Sequence, residues 1–170
     1  MLTEKLRHDL RILFIGFNPS LRSFARGYNF AGRANRFYRV LHLCGLTKRL
    51  YQPEESFSLL DDYGFGFTNI VARPTLRADE LSRDEYRAGA VILRAKLEHY
   101  RPRIACFVGK GVYVAFAGAK SAGAHWGFAA SSQVAGVRDF VGPSTSGLVR
   151  MTLAEQVSIY QALADAVADG

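Results

Sequence analysis

The chain is poor in the residues that build metal-bound or cross-linked scaffolds. It has two cysteines, Cys44 and Cys106, in 170 residues. Two thiols cannot ligate a four-cysteine iron–sulfur cluster or make a cysteine-rich zinc site. Both lie in apolar runs, so they read as buried free thiols in a reducing compartment. The four histidines, His8, His42, His99 and His125, show no metal-ligand spacing. His42 falls among apolar residues of a helical stretch and reads as structural. His125 beside Trp126, the one tryptophan, is either a functional loop feature or a packing corner. No apolar run reaches the roughly 20 residues of a membrane-spanning helix. The opening MLTEKLRHDL lacks the apolar segment of a signal peptide. A soluble, cytoplasmic protein with no membrane partner, no metal and no cofactor is expected. Acidic side chains are also scarce, 15 against 22 Lys and Arg, for a formal charge of +7. That balance favours a polyanionic partner, although plain solubility accounts for it equally. Arg22, Arg26, Arg33, Arg36, Arg73 and Arg77 stand in loops near aromatics, where a guanidinium suits phosphate and base contact better than lysine does.

What is present is a core. Hydrophobic residues make up 49% of the chain, and the length fits a single domain over residues 1–170. A polar lead-in or short helix over 1–10 precedes a first strand at 11–17. A Gly-containing loop follows, then a helix at 34–46 with Phe37, Val40, Leu41 and Cys44 on one face. A short helix at 53–61 begins on Pro53 with two acids behind it, as the helix macrodipole prefers. A second strand spans 64–71. Ser82 and Glu85 have capping-box spacing and open a long helix with Tyr86, Ala90, Leu93, Leu97 and Tyr100 as its apolar stripe. Residues 103–108 form a third strand and 111–117 a helix. The Gly/Ala/Ser-rich stretch 118–136 reads as loop with edge structure. Val137–Val141 is the last strand, and Thr152 with Glu155 caps a terminal helix carrying Val157, Tyr160 and Leu163 inward. Strands alternating with helices predict an α/β fold, a three-layer α/β/α sandwich around a mostly parallel sheet of about four strands.

Two loops carry the chemistry. The first strand stops at Gly16-Phe17-Asn18-Pro19-Ser20, because Pro19 cannot donate to a sheet ladder. A polar Asn there sits where open α/β sheets bind ligands, although Asn-Pro is also a common turn starter. Tyr28, Phe30 and the basic Ala34-Asn35-Arg36-Phe37-Tyr38-Arg39 follow. The second loop, Pro143-Ser144-Thr145-Ser146-Gly147-Leu148-Val149-Arg150, also follows an apolar strand, so both emerge at one edge of the sheet. Its small residues admit a phosphate and its hydroxyls add donors. Leu148 is either a helix staple or a wedge for a base stack.

The pattern GFNPSLRS, then Gly-Tyr-Asn-Phe-Ala, then Ala-Asn-Arg-Phe-Tyr resembles the first motif region of the mismatch-specific uracil/thymine DNA glycosylases of the uracil-DNA glycosylase superfamily, where Gly-Ile-Asn-Pro-Gly is usual. The loop at 143–150 resembles a Ser-rich variant of the second motif, and the likeness runs from about residue 10 to the terminal helix. The resemblance implies a monofunctional glycosylase acting in base excision repair as a monomer on DNA that holds uracil or mismatched bases, and it implies the role of each residue. Phe30 would stack on the everted base. Phe17, Pro19, Ser20 and Ser23 would line its pocket. Asn18 would hold a water, since an amide orients solvent but takes no proton at neutral pH. Ser144, Ser146, Gly147, Leu148 and Arg150 would grip the strand. Neither motif contains a lysine for a Schiff base, so no strand-cleaving step is expected. Asp79 either activates the water or merely precedes a helix, where acids are favoured. Ser20 replaces the usual glycine and Phe17 the usual isoleucine, which bears on which base fits. Two rivals remain, a noncatalytic nucleic-acid-binding module and a Rossmann-type nucleotide enzyme using Gly109-Lys110-Gly111. The latter lacks the glycine spacing and the Ser/Thr of a P-loop.

Overall fold

The computed structural model describes residues 3–118 and 123–169. Strand β1 (Ile12–Gly16) is apolar throughout and fully buried, as a central parallel strand covered on both faces must be. Successive side chains point to opposite faces. Ile12 and Phe14 join one core cluster, while Leu13 and Ile15 join the other. The other strands are β2 (Phe65–Asn69), β3 (Ile104–Val108), β4 (Gly127–Phe128) and β5 (Arg138–Gly142). The helices are α1 (Leu21–Arg26), α2 (Phe37–Leu43), α3 (Ser56–Tyr63), α4 (Arg83–Tyr100), α5 (Lys110–Ala117) and α6 (Leu153–Asp169). Residues of α2, α3 and α6 cover one face, and residues of α4 and α5 the other. The result is the expected three-layer sandwich.

The sheet order is β2-β1-β3-β5-β4, parallel except for the β4–β5 pair. It therefore has five strands rather than four. The extra one is a two-residue antiparallel edge at Gly127–Phe128, too short to leave a periodic signal, inside the stretch read as loop with edge structure; residues 119–122 of that stretch lie outside the described residues. Another difference follows the first motif. The loop after Asn18 contains α1, whose signals are local. Ser20 accepts from the Ser23 amide as N-cap, and Gly27 closes the helix at φ 74°. The lead-in over 3–10 is not helical; Lys5 pairs in antiparallel fashion with Phe67. The Ser82–Glu85 and Thr152–Glu155 capping boxes both form, with the reciprocal bonds at 2.8–3.1 Å and 2.8–3.2 Å.

The order places β1 between β2 and β3. The chain leaves β1 toward one side and returns through α4 to the other, so a crevice opens outside the carboxyl ends of β1 and β3. Cys44 and Cys106 sit in the core below it, unpaired. Burial pushes the Cys44 thiol up to about 11 and that of Cys106 well above its ordinary value, so both stay protonated.

One buried group opposes the fold. Asp139 of β5 is 2% exposed, and its Oδ2 accepts from the Gln133 amide at 3.1 Å while Oδ1 has no partner. Burial raises its carboxyl to about 6, against the weaker opposing pulls of the Gln133 amide and the Arg94 cation. The folded state therefore holds a proton that the unfolded chain has released, and stability falls as pH rises from the ordinary carboxylate range through about 6. Asp139→Asn keeps the acceptor and removes the charge. It should be more stable than the wild type at pH 8 by about 1 kcal/mol, with the gain vanishing toward pH 4 in thermal melts.

Candidate active site

The crevice is a cleft of about 730 Å³. Phe17, Asn18, Pro19, Ser20, Ser23, Phe30, Asp79, Ser144, Ser146, Gly147 and Leu148 all line it. Of the residues assigned to the site from sequence, only Arg150 is outside the lining; it is exposed, just beyond Val149. The two loops thus meet at one rim.

Asn18 is oriented by its surroundings. Its Nδ2 donates to the Arg73 carbonyl at 2.8 Å and to Thr75 Oγ1 at 2.8 Å. The Arg73 oxygen can only accept. The Thr75 hydroxyl gives its proton to the Arg77 carbonyl at 2.7 Å, so it too must accept from Asn18. Both amide protons are therefore committed, and Oδ1 is the end left to receive a hydrogen bond. The 75 loop is itself zipped to the first motif, with Leu21 N to Thr75 O at 3.2 Å and Thr75 N to Pro19 O at 3.3 Å.

Phe30 stacks on Phe37 with ring centroids 4.1 Å apart and 20° between planes, and it is half-buried at the cleft. Ser23 is buried, and its Oγ accepts from the Ala31 amide at 3.0 Å and from Ser20 Oγ at 3.1 Å, keeping its own proton to give. Ser20 caps α1, which accounts for a serine where glycine is usual. The Phe17 ring packs on Tyr86 and over Gly111, where a Cβ would come within 2.7 Å of it. Gly109 gives its amide to the Gly142 carbonyl at 2.8 Å, and Lys110 lies over Trp126 at 4.5 Å. The Gly109 amide of the Gly109-Lys110-Gly111 turn is thus taken by the protein and is not free for a phosphate. Trp126 is itself exposed and belongs to neither core cluster. His42 turns Nδ1 to the Thr47 carbonyl at 3.3 Å, a structural role.

The second loop is pinned from below and from the side. Tyr160, fully buried, donates to the Pro143 carbonyl at 2.7 Å. Thr145 donates to Asn35 Oδ1 at 2.9 Å, and the Arg36 guanidinium donates to the carbonyls of Val149 (2.9 Å) and Met151 (2.8 Å). Gly147 is required by close approach, since a Cβ there would lie 2.4 Å from Ala34 Cβ. Leu148 projects from this rigid base 90% exposed, so it staples no helix.

Arginines read as phosphate seekers are mostly engaged elsewhere. Arg36 holds the second loop, Arg73 pairs with Glu85, Arg77 with Asp79, and Arg26 with Glu54, while Arg22 gives Nε to the Ala31 carbonyl. The partners of Arg26 and Arg36 come from distant parts of the chain, which a local reading of loops cannot see. Of those six, Arg33 alone keeps an uncommitted guanidinium among the described residues, joined by Arg39 and Arg150. Asp79, in a short 3₁₀ turn, sits at the rim with its side chain 63% exposed and tied to Arg77 at 2.6 Å. Sequence reasoning missed Asn69. It ends β2 opposite Gly16, lines the cleft, and its Oδ1 would lie 2.8 Å from a Cβ at residue 16. The only signal was its place at a strand's carboxyl end.

The family profile described as the uracil DNA glycosylase superfamily matches residues 4–166. The chain belongs to the uracil-DNA glycosylase superfamily. Members of this superfamily are DNA glycosylases, hydrolases of N-glycosyl bonds in DNA, and both motif loops fall inside the matched span. Among the described residues no group of His, Cys, Asp and Glu could hold a metal ion.

Proposed function

We propose that the protein is a monofunctional DNA glycosylase of the mismatch-specific uracil/thymine type, releasing uracil from DNA by adding water at the sugar C1′. The observation that carries this reading is the fixed amide of Asn18 in the cleft that also holds Phe30 and Leu148. A base in a duplex must leave the stack to be reached. Leu148 fills the space it vacates, and Phe30 receives it face to face. The C1′–N1 bond breaks and its electron pair leaves with the base. Water held at Asn18 Oδ1 then bonds to the cationic C1′ and releases a proton to solvent, either directly or through Asp79. The amide acts by position and electrostatics and takes no proton. Asn69 has an amide suited to the hydrogen-bonding edge of a pyrimidine. Asp79→Asn with full activity would remove Asp79 from this scheme.

The test is an alkali-cleavage assay on oligonucleotides carrying one altered base each, as single strands and in pairings that include G:U and G:T. Excision of uracil is expected. Firm DNA binding with no abasic product from any substrate would leave a noncatalytic binding module instead.

A second groove, about 300 Å³, adjoins the cleft through Phe30, Gly32, Arg33 and Asn35 and is also lined by Arg22, Arg26 and Arg39. Phosphates of the flanking strand suit it. Arg33→Ala and Arg39→Ala should each lower the slope of log affinity against log salt by about 1, whatever base is present. Arg101→Ala, beyond the far end of α4, should leave it unchanged in the same anisotropy titrations.

A further inference from the structure

The scheme above leaves one buried cation without a role. Lys5 is 2% exposed, which is rare for lysine. Its backbone lies along the outer edge of β2, donating to the Phe67 carbonyl at 2.8 Å and accepting from the Phe67 amide at 2.9 Å. Its side chain runs inward over the Phe57 and Phe67 rings, 4.5 and 5.4 Å from their centroids, and donates to Asn29 Oδ1. Burial lowers this ammonium to about 8.

Asn29 is held at three of its polar groups. Besides the Lys5 bond, its Nδ2 donates to the Thr3 carbonyl at 2.5 Å, and its own carbonyl accepts from the Tyr38 hydroxyl at 2.6 Å. The next residue is Phe30, whose φ is +51°, a conformation that L-residues other than asparagine and aspartate rarely adopt. A strained backbone persists where its surroundings over-determine it. Here the surroundings are the Asn29 bonds on one side and the Phe37 stack on the other.

We propose that Lys5, acting through Asn29, is a positioning residue that fixes the Phe30 ring in the attitude that receives the everted base. The clamp reaches across 24 residues of sequence and ties the start of the chain to the cleft. Thr3 lines the cleft as well, so this segment is continuous with its wall. Lys5 touches neither base nor sugar in this scheme. It acts by keeping one ring from wandering, and a misplacement of about 1 Å in a positioning group costs on the order of 10²-fold in rate.

This inference rests on the glycosylase reading. Its test is a double-mutant cycle on a uracil-containing duplex, with single-turnover rates and DNA affinity measured separately. Lys5→Met should lower the rate about tenfold and leave DNA affinity within about twofold, because the phosphate contacts are elsewhere. In a Phe30→Ala background the same change should alter the rate less than about twofold, since the ring it positions is gone. Asn29→Ser, which removes the clamp without exposing a methionine to the site, should repeat the pattern if Lys5→Met folds poorly. Equal losses in both backgrounds, or an unchanged rate in Lys5→Met and Asn29→Ser, would overturn the clamp alone. A wild type that excises nothing would overturn the glycosylase reading, and the clamp with it.

Discussion

Asn18→Ala is expected to lower the single-turnover rate of uracil excision by on the order of 10²–10³ while DNA affinity changes little. The loss falls on the rate because the amide meets no phosphate. Both its protons are engaged within the protein, by the Arg73 carbonyl and Thr75 Oγ1, and only Oδ1 remains for solvent. Thr75→Val grades the same effect. It deletes one of the two anchors and leaves the other, so a smaller loss, about tenfold, should follow. An aspartate at 18 keeps the shape but cannot donate to the Arg73 oxygen, so it should not rescue. Rapid-quench kinetics with anisotropy measured in parallel separates the two quantities. An Asn18→Ala enzyme within a few-fold of the wild type would remove the amide from the mechanism.

Leu148→Ala should reduce excision from duplex DNA by roughly 10- to 100-fold and barely affect single-stranded substrate. Burying a leucine side chain against apolar surface is worth about 1.5–3 kcal/mol, and each 1.36 kcal/mol or so is tenfold in rate. In the free protein that surface is almost wholly in water, at 90% exposure, so truncation should leave the melting temperature where it was. A single strand offers no stack to plug, and the leucine should not matter there. Equal losses on both substrates would assign Leu148 to general strand contact instead of wedging.

The local code of this chain was legible where one stretch suffices to write it. The buried strand that stops just before the Asn18 turn and the Ser82–Glu85 and Thr152–Glu155 caps are each set by neighbouring residues. The α1 helix was also locally written, by Ser20 and Gly27, but the aromatic and glycine residues around it masked a span of six residues. The arginines were the main misreading. A guanidinium in a loop looks free until the fold brings Glu54, Glu85 or the Val149 carbonyl to it.

The order of apolar strands, helix signals and two polar loops by itself determined the α/β class and the shared rim of the two loops, because strand direction fixes which loops share an edge. The tertiary structure alone decided which atoms in that cleft are available. The Asn18 amide is turned by a carbonyl 55 residues away, and the Phe30 ring is held through an asparagine gripped by the chain's opening segment. Hydrogen bonds of that reach leave no periodicity behind, so only packing in three dimensions reveals them.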